Sequence, residues 1–150
     1  VSAQVTDRVE VRPRKVRRVV IPLAVFFVVV FAVVGALLPQ SSTGAVFRTS
    51  DQVAMVLIGV LLAAGALLFM RPRLRADASG VEIRNIVSTR HYEWEIVRGF
   101  SFPERAPWAR LELPADEYVP IMAIQAMDGE QAVVAMRNLR RLRREVSEGD

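Results

Sequence analysis

The stretch that decides the fold is RPRKVRRVVIPLAVFFVVVFAVVGALL (Arg12–Leu38), PQSSTGAVFRTSD (Pro39–Asp51), Gln52, VAMVLIGVLLAAGALLFM (Val53–Met70) and RPRLR (Arg71–Arg75). Two runs, Val19–Leu38 and Val53–Met70, contain no Asp, Glu, Lys, Arg or His. Twenty helical residues at about 1.5 Å each span roughly 30 Å, the thickness of a bilayer's hydrocarbon core. Val is a mediocre helix former in water, but in lipid the backbone must satisfy its own hydrogen bonds, so helix is the expected form. Pro22 falls in the first turn of the first run, where a missing N–H is tolerated, and Pro39 lies just past its end.

Arg12, Arg14, Lys15, Arg17 and Arg18 precede the first run, and Arg71, Arg73 and Arg75 follow the second. The loop between carries one Arg and one Asp. Cationic residues stay on the cytoplasmic side, so the expectation is a multi-pass hairpin in the bacterial cell (inner) membrane, with both chain termini cytoplasmic and the loop outside. The same cations, Arg14, Lys15, Arg17, Arg18, Arg73 and Arg75, are candidates for contact with anionic lipid headgroups or a partner, although topology alone accounts for them. A cleaved signal peptide is the rival reading of the first run. That run exceeds the usual apolar core of a signal peptide, and no A-x-A site follows it.

Apolar helices in lipid pack through small residues. Ala32 and Ala36 share a face of the first span, Gly59 and Ala63 a face of the second, and these four are the candidate packing seam, within the hairpin or against a partner's helix. An ionisable group inside a span usually marks an ion or proton path, and neither span has one. A stand-alone pump, channel or transporter is therefore not expected.

The remaining chain changes character. The expected division is a basic tail (1–18), the hairpin (19–70, with spans 19–38 and 53–70), a soluble domain (74–146) and a short tail (147–150). Residues Val1–Val11 are polar and mixed, and are expected to be mobile. From Leu74 apolar residues alternate with polar ones at period two, the mark of β-structure. Strands are expected over Leu74–Ala78, Val81–Arg84, Arg90–Val97, Arg98–Phe102, Trp108–Leu113 and Tyr118–Ile124. Tyr92, Trp94 and Ile96 should share one face, and Phe100 and Phe102 another. A helix follows, capped by Asp128 with Gln131 three residues on. Its apolar stripe is Ala132, Val133, Met136, Leu139, Leu142 and Val146, and arginines cover the rest.

The run Ala78–Asn85 (ASGVEIRN) resembles the opening hairpin of the bacterial pleckstrin-homology-like domains found in small actinobacterial membrane proteins. Tyr92-Glu93-Trp94-Glu95-Ile96-Val97 is similar to their W-x-x-I/V pattern, with Ile at the second place after Trp and Val97 at the third. The resemblance covers roughly Leu74–Val146. It implies an α+β domain, an antiparallel barrel or sandwich capped by a C-terminal helix, with no enzymatic activity. Eukaryotic relatives that hold phosphoinositides use a basic cluster around the first hairpin. Here the tip Asp77-Ala78-Ser79-Gly80 is acidic and small, which argues against inositol-phosphate binding.

Chemistry-bearing residues are sparse. The chain has no Cys and one His, His91, placed beside Glu93 and Glu95 without a nucleophile motif or a second histidine. No metal-ligand spacing, phosphate loop or haem ligand pair is present, so no metal, cofactor or small-molecule substrate is expected. The formal charge of +4 sits beside the spans rather than on a face with stacking aromatics, so nucleic acid is not an expected partner. The candidate contacts outside the hairpin are Trp108 and the helix arginines Arg140, Arg141 and Arg144. Expected partners are membrane lipids and other membrane proteins. The protein then acts as a non-catalytic membrane anchor with a cytoplasmic interaction domain, or as an accessory subunit of a larger assembly such as a respiratory supercomplex.

Overall fold

The computed structural model describes residues 8–40, 44 and 46–149. The expected tail residues 1–7 and 150, and loop residues 41–43 and 45, lie outside that set. The chain divides into two compact units, one built from the N-terminal residues to Lys15 together with Arg71 onward, the other from Val16–Met70.

The second unit is a pair of helices, α1 (Arg14–Leu37) and α2 (Thr49–Leu67), each running on into a short 3-10 turn. Both are long and apolar enough to cross a membrane. Large side chains such as Val25, Phe26, Leu57 and Leu61 are exposed along them. Asp51 accepts the Arg48 backbone N–H at 2.8 Å and so ties down the start of α2. The helices meet through small residues. A Cβ on Gly59 would lie 2.6 Å from Phe31 Cβ and 3.1 Å from the Phe27 carbonyl oxygen, so only glycine fits there. A Cβ on Gly35 would touch the Gln52 carbonyl oxygen at 3.4 Å, and the Gln52 amide donates to the Gly35 carbonyl at 3.1 Å.

The first unit is a two-layer β structure closed by a helix. Strands β1 (Val9–Val11), β2 (Arg73–Asp77), β3 (Gly80–Arg84) and β4 (Thr89–Tyr92) form one antiparallel sheet in sequence order. Strands β5 (Gly99–Ser101), β6 (Trp108–Glu112) and β7 (Tyr118–Gln125) form the other. Helix α3 (Glu130–Gly149) follows. Leu74, Ala76, Val81 and Ile83 of the first sheet, Leu111, Ile121 and Ala123 of the second, and Leu139 and Leu142 of α3 make one buried core. The Asn85 side chain links the sheets, donating to the Pro120 carbonyl at 2.9 Å and accepting the Met122 N–H at 3.2 Å.

Four expectations change. Val9–Val11 is no loose tail: it pairs with β2 in the register Val9↔Ala76, Glu10↔Arg75, Val11↔Leu74. The helical hairpin is therefore an insertion in the β1–β2 connection. The expected strand Arg90–Val97 ends at Tyr92 and gives way to a 3-10 turn, Trp94–Ile96. At three residues per turn, Trp94 and Val97 fall on the same side, so Val97 is 3% exposed while Ile96 points out at 44%. Asp128 does not cap α3. It sits in a 3-10 turn, and the Gly129 carbonyl accepts the first N–H groups of α3, from Ala132 and Val133. The buried Asp128 carboxylate instead accepts the backbone N–H of Lys15 at 3.2 Å, near the start of α1. Finally, Val133 is 55% exposed and leaves the apolar stripe of α3, whose buried set gains Ala135.

Candidate interaction site

On the outward face of the first sheet, strand register sets charges side by side. Glu10, Arg75 and Glu82 occupy successive strands at one level, with the His91 ring next in line on β4, and Arg73 and Arg84 stand opposite each other at the next. Alternating signs across neighbouring strands are favourable, and like charges directly opposite are not. Glu10 gathers three guanidinium groups, Arg12 at 2.9 Å, Arg73 at 3.1 Å and Arg75 at 3.9 Å. Arg73 and Arg75, candidates for lipid or partner contact, are thus engaged inside the domain. The Nε atoms of Arg75 and Arg84 are buried without a hydrogen-bond partner. This arrangement holds β1 on the sheet by charge as well as by backbone pairing.

The β2–β3 turn is self-contained. The Ser79 hydroxyl donates to Asp77 Oδ1 at 2.6 Å and its backbone N–H to the same oxygen at 2.9 Å. The hydroxyl bond, more than any other contact, holds the Asp77 carboxyl below its ordinary value of 3.8, with smaller help from the Ser79 backbone N–H, then Arg8 and His91, and some opposition from burial. Gly80 closes the turn at φ +151°, where a Cβ would meet the Tyr92 carbonyl oxygen at 2.4 Å. Trp94 anchors the same corner, its indole N–H donating to the Asp77 carbonyl at 2.7 Å and its ring set edge-on to Phe100. No described residues form a cluster of three or more His, Asp or Glu able to hold a metal ion.

A concavity of about 920 Å³ lies between α3 and the edge strand β5. Its apolar lining comes from Phe100, Phe102, Ala132, Val133 and Met136. Arg137, Arg140, Arg143 and Arg144 line it as well, and among the described residues no Asp or Glu does. Helical spacing explains the grouping. Val133, Arg137, Arg140 and Arg144 recur at intervals of four, three and four, a single stripe along α3. The Arg140 guanidinium donates to the Phe100 carbonyl at 3.2 Å and braces one wall. The side chains of Arg137, Arg143 and Arg144 form no ion pair with a described residue.

The candidates named from sequence separate accordingly. Arg140 and Arg144 meet in this groove. Arg141 faces the other side of α3, paired with Glu145 at 3.6 Å and lining a second hollow beside β1 with Arg12 and Arg14. Lys15 joins that neighbourhood through its backbone bond to Asp128. Arg17 and Arg18 are exposed on α1. Trp108 is half-buried at the start of β6, where the pairing with β7 shifts register, and it lines none of these hollows. In the hairpin, Gly59 and Ala63 are buried, whereas Ala32 is half-buried and Ala36 exposed; the packed small residue at that end of α1 is Gly35. Sequence reasoning missed Phe100, Phe102, Val133 and Met136 as groove lining. The signal available was a phenylalanine pair beside an arginine-rich helix.

Residues 71–142 match the family model described as bacterial PH domain, a span that begins after the hairpin and leaves β1 outside. The chain is 48% identical over 120 residues to the uncharacterized proteins Rv1417 and MT1460 of Mycobacterium tuberculosis strains and Mb1452 of Mycobacterium bovis. That alignment covers 79% of this chain and 78% of each relative.

Proposed function

Because the chain belongs to the bacterial PH-domain family, we propose that it is a non-catalytic protein held in the bacterial cell membrane by the α1–α2 hairpin, with a cytoplasmic PH-like domain that binds other macromolecules. The observation that carries the reading is the pairing of β1 with β2 on either side of the inserted helices. A chain that leaves a domain at Arg12 and rejoins it at Arg73 must cross a bilayer an even number of times. Two helices of spanning length and basic residues at both flanks fit that requirement. The domain offers an arginine-lined apolar groove, a feature suited to binding.

The absence of native cysteine makes topology directly measurable. A Val46→Cys variant should react with a membrane-impermeant maleimide in intact cells whose outer envelope has been opened. An Arg90→Cys variant should react only after the inner membrane is permeabilised. Labelling in the opposite order, or recovery of the chain in the soluble fraction, overturns the membrane reading.

A further inference from the structure

We propose that the groove between α3 and β5 docks an acidic segment of a partner protein, about five residues long, with an apolar residue at one end and carboxylates at the other. The proposal rests on the reading of the domain as an interaction module and names the chemistry of what it binds.

Three features of the groove define the occupant. The first is polarity along α3: Val133 and Met136 lie toward the helix start, and Arg140, Arg143 and Arg144 toward its end. An occupant lying along it meets an apolar half and then a cationic half. The second is charge. Four guanidinium groups line the groove with no carboxylate among its described residues, and three of them have no ion-pair partner among the described residues. Arginine's planar fork matches a carboxylate in two parallel hydrogen bonds. The third is length. Eleven residues separate Val133 from Arg144, a rise of about 16 Å at 1.5 Å per residue, which about five extended residues span.

Those features separate the occupant from other anions. Inorganic phosphate has no use for the apolar half. A membrane lipid would place its headgroup on the arginines, but the apolar part between Val133 and Met136 covers only about 4.5 Å of helix and would leave most of each acyl chain in water. A peptide segment satisfies both halves with adjacent side chains. Val133, at 55% exposure, and the half-buried Phe102 are the surfaces it would cover.

The test uses the full chain in nanodiscs of uncharged phosphatidylcholine. It is applied to an array of hexapeptides in which two positions run through apolar residues and three through Asp and Glu. A matched array carries Lys in place of the acids, and phosphatidylglycerol vesicles supply a lipid arm. Acidic-apolar members should be retained and the Lys set should not. R143E/R144E should lower retention about tenfold and V133S about threefold, with R90E on β4 leaving it unchanged. R143Q/R144Q, a milder change, should give an intermediate loss, and circular dichroism establishes that each variant is folded. Three results overturn the proposal: equal retention of the Lys set, retention insensitive to R143E/R144E, or Arg143- and Arg144-dependent capture of phosphatidylglycerol vesicles without peptide binding. Failure of the membrane reading shows separately, as a wrong Val46→Cys labelling pattern with the array result intact.

Discussion

Replacing Glu10 by Gln removes one negative charge from among three arginines, and its cost follows from the geometry. The Arg12 pair, 2.9 Å apart, has side chains 62% and 37% exposed, so solvent screens most of its value. Arg73 is only 20% exposed and lies 3.1 Å from the carboxylate, which places that pair near the upper end of the surface range, about 1 kcal/mol. Arg75 at 3.9 Å adds a few tenths of a kcal/mol. Loss of the carboxylate also leaves Arg73 facing Arg84 without its 3.1 Å partner. A total of about 1.5 kcal/mol is expected for Glu10→Gln, and more for Glu10→Lys, which sets four cations together. Both tryptophans, Trp94 and Trp108, lie in the domain, so urea unfolding of the full chain in detergent, followed by tryptophan fluorescence, reads the domain alone. At 1 M salt the Debye length falls to about 3 Å and the difference from the unmodified chain should shrink to roughly half. A Glu10→Gln midpoint within error of the unmodified protein at low salt refutes the argument that charge holds β1 in place.

Other outcomes follow from the same contacts. Gly59→Ala places a Cβ against Phe31 and should loosen the hairpin by about 1–3 kcal/mol, seen as faster amide exchange along α2 in micelles. Asp128→Ala removes the buried acceptor for the Lys15 N–H and should cost about 1–2 kcal/mol in denaturant unfolding, whereas Asp128→Asn keeps an acceptor oxygen and should retain most of the stability. The Asp77 carboxyl is held below 3.8 chiefly by the Ser79 hydroxyl, so its contribution is present above that pH and is lost as the pH falls through the lowered value. Ser79→Ala should therefore be less stable than the unmodified chain at pH 6 and approach it at pH 2, and a difference that grows toward acid would contradict the assignment.

The helical hairpin was legible because lipid-compatible segments announce themselves through composition alone, over a window longer than any strand. The strands from Arg73 to Gln125 were legible because each carries its own alternation and turn residues. What escaped depended on distant partners. Val9-Glu10-Val11 is three residues long with no local turn, and the strand that completes it begins about sixty residues later. The alternation Tyr92, Trp94, Ile96 mimicked a strand, while the spacing Trp94 to Val97, noted in the resemblance, was the true inward pattern. Ala36 lost its place to Gly35 because adjacent helix residues point about 100° apart and the approach of α2, invisible locally, chooses which one faces it. Val133 was counted as core because Ala132, Val133 and Met136 can lie on one apolar face. Only the position of β5 decides which of them is covered.

The insertion of the helices between β1 and β2 also orders events during synthesis. When β1 leaves the ribosome its partner does not yet exist, and both apolar helices are made before it does. Closing a free loop of about sixty residues costs roughly 3–4 kcal/mol of chain entropy, a cost that a preformed helix pair largely removes by bringing its ends together. Under the proposed membrane reading, a hairpin inserted with one end on the wrong side would strand β1 across the bilayer from β2, leaving the sheet with an open edge and the Asp128 carboxylate without its Lys15 partner. On that reading, the same β1–β2 pairing that completes the sheet makes a properly threaded hairpin a precondition for a finished domain.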